Sequence, residues 1–144
     1  MGEKYKFFTP VRVRYADTDA QGHVFFSNYL IYFDQGLTDY LKAIGYGYDE
    51  LLREGVDFFY VDAQCTYKGS ARFDEVLNVH TRLTRIGKTS FTFQFSIHKA
   101  ETDALIASGR IVAVAVDTET RRPVPVPEGL RRAVEAYEGE PPAA

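Results

Sequence analysis

The sequence predicts an α+β protein in which an antiparallel sheet buries one face of a single long helix. Three observations carry this. The segment from Phe26 to Ile44 repeats apolar residues in steps of three and four, the mark of one helix face. Four later stretches, from Val56 to residue 116, are strand-like and joined at hairpin spacing. A further alternating stretch precedes the helix.

Taken in order, residues 4–15 place Tyr5, Phe7, Val11, Val13 and Tyr15 on one parity and Lys4, Lys6, Arg12 and Arg14 on the other, which predicts a half-buried strand. Pro10 lacks an N–H, so it needs a bulge or a position without a ladder partner. In the long helix, Phe26, Tyr29, Leu30, Phe33, Leu37, Tyr40, Leu41 and Ile44 form the apolar face, and Gly45 is the expected stop. Gly36 inside it costs about 1 kcal/mol relative to Ala, so close packing against the sheet is expected there. Residues 48–54 read as a short helical turn ended by Gly55. From Val56 to Tyr67 the period returns to two, with Phe59, Val61, Ala63, Cys65 and Tyr67 expected on one face.

Residues 75–86 predict a strand with Leu77, Val79 and Leu83 inward, followed by a turn at Ile86-Gly87-Lys88-Thr89. Residues 90–99 alternate most cleanly, Phe91, Phe93, Phe95 and Ile97 opposing Ser90, Thr92, Gln94, Ser96 and His98. His80 and His98 are expected to face solvent. Residues 105–116 are apolar on both sides, as in a covered central strand. The small residues Ala107, Gly109, Ala113 and Ala115 make the surface on which the long helix is expected to lie. Leu130, Ala133, Val134 and Tyr137 mark a terminal helix, and the tail 138–144 is expected to be mobile. No repeat or composition break divides the 144 residues, so one domain is expected, with its core over about residues 4–137.

Composition narrows the function. With 17 Lys and Arg against 20 Asp and Glu and no basic block, nucleic acid is not an expected partner. No apolar run nears the roughly 20 residues that span a bilayer, and the opening MGEKYKFF shows no signal-peptide core. The single cysteine, Cys65, allows no intramolecular disulfide. A cytoplasmic protein without membrane contact is expected. The histidines are scattered and no metal site is expected.

The chemistry concentrates where Tyr-Ala-Asp-Thr-Asp-Ala-Gln-Gly-His-Val (residues 15–24) runs into the helix. A helix start offers unpaired N–H groups and roughly half a positive charge. It can polarise a carbonyl whose oxygen becomes anionic during reaction. A carboxylate beside it completes a minimal apparatus for acyl transfer, and Asp17 and Asp19 are both candidates. Gly22 reads as a backbone device, for a tight turn or for close approach to a ligand. His23 has the pKa for acid–base work. Cys65 lies on an apolar strand face with no histidine fixed beside it, which argues against a nucleophilic role. No Gly-x-Ser-x-Gly elbow is present.

The run YADTDAQGHVFFSNY, together with YKGSARFDEVL and RLTRIGKTSF further on, resembles the 4-hydroxybenzoyl-CoA thioesterase class of hotdog-fold proteins. The resemblance spans about residues 4–137. It implies a hotdog fold, a curved sheet wrapped around one helix, and an acyl-CoA thioesterase. The family's catalytic acid falls on Asp19, leaving Asp17 a structural acceptor of backbone N–H bonds. The oxyanion donor falls on the backbone N–H of Phe26. The resemblance implies substrate contacts at Gly22, His23, Val24 and Phe25. It implies an acyl-pocket wall at Phe58, Phe59 and Tyr60 supplied by a neighbouring subunit, and coenzyme A contacts around Arg85, Lys88, Thr89 and Ser90. No cofactor is needed, coenzyme A being part of the substrate. A homodimer or homotetramer is expected, with sites at the dimer interface. Two alternatives use the same fold: an acyl-CoA-binding protein without turnover, and a hydratase or dehydratase pairing His23 with an acid.

Overall fold

The computed structural model describes residues 5–144. Lys4, the first residue of the expected alternation, lies outside them. The elements are β1 (Phe7–Arg12), α1 (Asn28–Ala43), α2 (Tyr48–Arg53), β2 (Val56–Tyr67), β3 (Val76–Ile86), β4 (Ser90–Lys99), β5 (Leu105–Asp117) and α3 (Glu128–Glu138). All pairings are antiparallel, and the strand order is β1-β3-β4-β5-β2. With α1 across one face, this is the hotdog arrangement that the resemblance implied. β2 does not pair with β3, which follows it, but with β5, so β1 and β2 form the two edges. Pro10 therefore sits on an edge strand, where a missing N–H breaks no inner ladder.

The core is a layer of rings between α1 and the sheet. Phe33 stacks on Phe95 at 4.4 Å, and Tyr40 meets Phe93 and Phe7 edge-on. Leu77, Val79 and Leu83 point into this layer, as their alternation predicts. α1 reaches the small-residue surface of β5 at Gly109, where a Cβ would come within 2.8 Å of the Phe33 ring. Its tighter crossing, however, is over β3: a Cβ on Gly36 would stand 2.5 Å from Thr81 Oγ1 and 2.7 Å from Val79 Cγ1. The helix therefore leans toward the β1–β3 side rather than lying centred on β5.

Two expectations change. The β2–β5 register shifts between Tyr60 and Asp62, so Val61 is bulged out. A bulge inverts the parity beyond it. Phe58 and Tyr60 thus share the helix face with Ala63, Cys65 and Tyr67, while Phe59 lies on the other face under the Arg121 guanidinium. His98, expected in solvent, is buried, and His80 is half-buried. Tyr5 and Phe8 pack on the His80 ring, which meets His98 edge-on at 5.2 Å, while Ser96 Oγ lies 2.8 Å from His98 Nε2. Of residues 138–144, the expected mobile tail, Glu138 ends α3 and residues 140–144 run beside the end of β3: Ile86 N–H donates to the Ala143 carbonyl and Ala143 N–H to that of Thr84.

Replacing a mid-helix glycine by alanine ordinarily stabilises by about 1 kcal/mol. Here the new methyl collides with two branched side chains. Gly36→Ala is therefore expected to destabilise by about 1–3 kcal/mol, read as a lowered Tm in thermal unfolding.

Candidate active site

The loop between β1 and α1 is built on Asp17. A short 3-10 turn, Tyr15–Asp17, folds its carboxylate back. Arg14 N–H donates to Oδ2 at 3.0 Å, the Arg14 guanidinium to Oδ1 at 2.8 Å, and Tyr32 O–H to Oδ2 at 2.9 Å. The Asp17 carbonyl in turn accepts from Phe25 N–H and from the Asn28 side-chain amide, both at 2.9 Å. One buried residue thus ties the loop to the first two turns of α1. Burial by itself would raise the Asp17 carboxyl. The hydrogen bonds from Arg14 and Tyr32 outweigh it and hold the group below the ordinary carboxylate range. This agrees with the structural part expected of Asp17, with a side-chain ion pair added to the backbone bond.

Asp19 starts a tight reversal. Thr18 and Val24 form a bridge, Asp19 N–H donates to the His23 carbonyl, and Gly22 N–H donates to the Asp19 carbonyl. Gly22 closes the turn at φ +85°, in the left-handed region that favours glycine. Its carbonyl accepts from Arg72. Asp19 Oδ1 accepts from Gln21 N–H at 2.9 Å, which orients the carboxylate. Oδ2 receives no hydrogen bond from the described residues; His23 Nδ1 stands 4.0 Å away. That nitrogen lies 3.2 Å from the Val24 carbonyl, an acceptor only, so Nδ1 carries the proton in this arrangement.

The chain then enters α1. Val24 N–H is taken by Ala71 and Phe25 N–H by Asp17, and Asn28 N–H donates to the Phe25 carbonyl. The N–H groups of Phe26 and Ser27 have no acceptor among the described residues. Ser27 occupies the N-cap position without a side-chain cap. The donor expected at Phe26 thus belongs to the turn leading into α1, two residues before the first helical residue. The Phe26 ring is exposed and touches those of Phe25 and Tyr67. The Val24 side chain is in the core.

The remaining candidates lie elsewhere in the chain. The ladder of β1 on β3 puts the Asp17–Val24 loop at the Val76 end of the sheet, whereas Arg85, Lys88, Thr89 and Ser90 lie at the Ile86 end. Eleven residues of strand separate the two ends, roughly 30 Å. Phe58, Phe59 and Tyr60 share the Ile86 end, opposite Ala113–Ala115 of β5. Phe58 packs on Phe91 and Tyr48, and Tyr60 O–H donates to Asp34. One chain therefore carries Asp19, Gly22, His23 and Phe26 on the loop and turn at one end of the sheet, and leaves the other group distant. Burial pushes the Cys65 thiol up, which keeps thiolate scarce near neutrality. Among the described residues no three His, Cys, Asp or Glu cluster as a metal would require, and no helix is long and apolar enough to cross a membrane.

Sequence reasoning overlooked Arg14, Tyr32, Asn28 and Tyr67, whose hydroxyl donates to the Phe26 carbonyl at 2.9 Å. A signal existed for Tyr32, which falls on the 29-32-36-40 spacing. None existed for Asn28 or Tyr67, whose partners are set by the fold.

The depressed Asp17 carboxyl stabilises the fold above its unfolded pKa, about 3.9, and that contribution is lost as pH falls through the lower folded value. Asp17→Asn is expected to cost about 2 kcal/mol near neutrality. In thermal unfolding across pH, the Tm gap to wild type is expected to persist down to about pH 4 and to narrow only below it.

The thioesterase-like superfamily profile matches residues 13–134. The acyl-CoA thioester hydrolase YbgC of Escherichia coli O6:H1 is 31% identical over 124 residues, covering 86% of this chain and 92% of that protein. The acyl-CoA thioesterase YbgC of Haemophilus influenzae is 32% identical over 129 residues, covering 88% and 93%. The crystal structure of the PA5185 protein from Pseudomonas aeruginosa superposes with a TM-score of 0.84 at 28% identity, covering 99% of this chain and 96% of that one. The strand order, the helix laid across the sheet and a match running from the end of β1 into α3 agree: the chain belongs to the thioesterase-like superfamily.

Proposed function

We propose that this protein is an acyl-CoA thioesterase, hydrolysing an acyl-CoA to the free acid and coenzyme A. The observation that supports the reading is that one tied loop and the turn after it carry two free valences. Asp19 has one carboxylate oxygen held by Gln21 N–H and one unpaired. The turn fastened to the same loop through Asp17 leaves the N–H groups of Phe26 and Ser27 open. The names of the YbgC relatives support the same reaction class.

In this mechanism the thioester carbonyl oxygen is received by Phe26 N–H, which stabilises the oxyanion as the tetrahedral centre forms. Asp19 Oδ2 then has two routes. As nucleophile it attacks the carbonyl carbon, expels coenzyme A as thiolate and leaves an acyl-aspartyl anhydride that water hydrolyses. As general base it takes a proton from water while the water oxygen attacks, and the thiolate leaves with the same electron balance. A thiolate is a good leaving group, so no full triad is required. Gly22, His23, Val24 and Phe25 shape the loop around the carbonyl. A hydratase reading would need His23 paired with an acid. The 3.2 Å contact to Val24 against 4.0 Å to Asp19 favours hydrolysis instead. A binding protein without turnover would have no use for an oriented, half-free carboxylate.

The site is completed by a second copy. β2 is an edge strand bearing exposed Phe59, Tyr60, Val61 and Tyr67, an association surface if left uncovered. Pairing β2 antiparallel with its symmetry mate sets the start of one strand beside the end of the other. The second copy's Phe58–Tyr60 segment and Lys88–Ser90 turn then approach Tyr67 and Phe26. An acyl wall and coenzyme A contacts are thereby supplied from residues that lie at the wrong end within one chain.

A free-thiol assay over butyryl-, octanoyl- and benzoyl-CoA is expected to register turnover, with kcat falling roughly 10³-fold in Asp19→Asn at unchanged Tm. Near-wild-type activity in that variant would remove Asp19 from the mechanism. Light scattering is expected to give the mass of two or four chains; a monomer would contradict the shared site.

A further inference from the structure

Two successive peptide groups lead into α1 with open N–H groups, and each has its carbonyl engaged from behind. The Phe25 carbonyl, in the same peptide as Phe26 N–H, accepts from Asn28 N–H at 2.8 Å. The Phe26 carbonyl, in the same peptide as Ser27 N–H, accepts from Tyr67 O–H at 2.9 Å. A hydrogen bond to a carbonyl draws electron density through the amide and makes its N–H a stronger donor. It also fixes the plane of that peptide, and with it the direction of the peptide's own N–H. The first of these bonds is local and comes with the turn. The second comes from another element, the last residue of β2, and the local fold around α1 does not require it.

We infer that Ser27 N–H acts beside Phe26 N–H as a second oxyanion donor, and that Tyr67 is the positioning residue for it. This rests on the thioesterase reading above and extends it. The Tyr67 ring is itself held edge-on against Phe26 at 6.3 Å and against buried Tyr29 at 5.6 Å. Tyr29 is anchored by the hydrogen bond its hydroxyl accepts from Ala71 N–H. Tyr67 is exposed as a residue, but partial desolvation of its hydroxyl, and then Cys65 alongside, push that group up to about 12, so it remains a donor throughout the neutral range. The arrangement also links the sheet edge to the site: β2 ends on the peptide that is to bind the substrate oxygen. A substrate oxygen between two N–H groups of adjacent residues meets two converging donors, whereas a lone N–H leaves half its charge unpaired.

The test compares wild type, Tyr67→Phe and Asp19→Asn. Tyr67→Phe keeps the ring and removes only the donor. With the best of the three acyl-CoAs named above, it is expected to lower kcat roughly 10-fold, less than the loss of a direct oxyanion donor, with KM and Tm unchanged. A second readout needs no turnover. The infrared carbonyl stretch of bound phenacyl-CoA, a ketone that cannot be hydrolysed, is expected to lie below its value in water in wild type and to move back upward in Tyr67→Phe. Wild-type kcat together with an unmoved stretch in Tyr67→Phe would overturn the positioning role, even with Asp19→Asn inactive. So would a loss of kcat accompanied by a raised KM and a lowered Tm, which a purely structural tyrosine would give. An active Asp19→Asn would instead overturn the underlying mechanism, and the carbonyl stretch would still decide the part played by Tyr67. Wild type that neither hydrolyses the acyl-CoAs nor binds the ketone would overturn both.

Discussion

The buried carboxylate of Asp17 is the constraint on which the rest of the site depends. It draws Arg14 and Tyr32 onto its two oxygens, while its carbonyl holds Phe25 and Asn28. Those contacts join the end of β1 to the start of α1 and fix the loop between them. They also consume Phe25 N–H, so that the first open N–H groups of the turn are those of Phe26 and Ser27. Two aspartates two positions apart thereby differ in their bonding. Both oxygens of Asp17 are engaged, whereas Asp19 keeps one oxygen without a hydrogen bond from the described residues, as the proposed mechanism requires. Burial alone would not produce this division; it is the guanidinium and phenol donors that make an ionised Asp17 tolerable inside the protein.

The sheet then determines what one chain can and cannot assemble. Its order puts β2 on an edge and aims the end of β2 at the helix mouth through Tyr67, while the start of β2 lies with the Lys88–Ser90 turn at the far end. A coenzyme A thioester is long, and a site with its reactive end at Asp19 needs further walls. The exposed rings along the β2 edge and the distance between the two groups of residues are what the proposed pairing of two sheets would explain.

Much of this was legible in the sequence. The clean alternation of Phe91, Phe93, Phe95 and Ile97 and the three-and-four spacing of α1 gave their elements nearly to the residue, because each element has one buried face. Gly36 was legible as a close-packing residue, while the helix expected over β5 makes its tightest crossing over β3. Features that depend on three-dimensional closure were not legible. The bulge at Val61 inverts the parity of β2 without any Gly or Pro to mark it. His98 is buried because Ser96 and the Asp103 carbonyl satisfy both its nitrogens, partners that a period-two pattern does not reveal. Asp17 and Asp19 look alike in the chain. They differ through Arg14 and Tyr32, and through a turn that spends one oxygen of Asp19 and spares the other.

The central claim is that the carbonyl of a bound thioester sits between Asp19 and the open peptide groups at the entrance to α1. A crystal structure of the protein with phenacyl-CoA tests it most directly. The account predicts the ketone oxygen about 2.7–3.1 Å from Phe26 N. It predicts the carbonyl carbon about 3–3.5 Å from Asp19 Oδ2, the distance of a reacting pair. A ketone oxygen bound elsewhere, with Asp19 Oδ2 turned away from the carbonyl carbon, would contradict it.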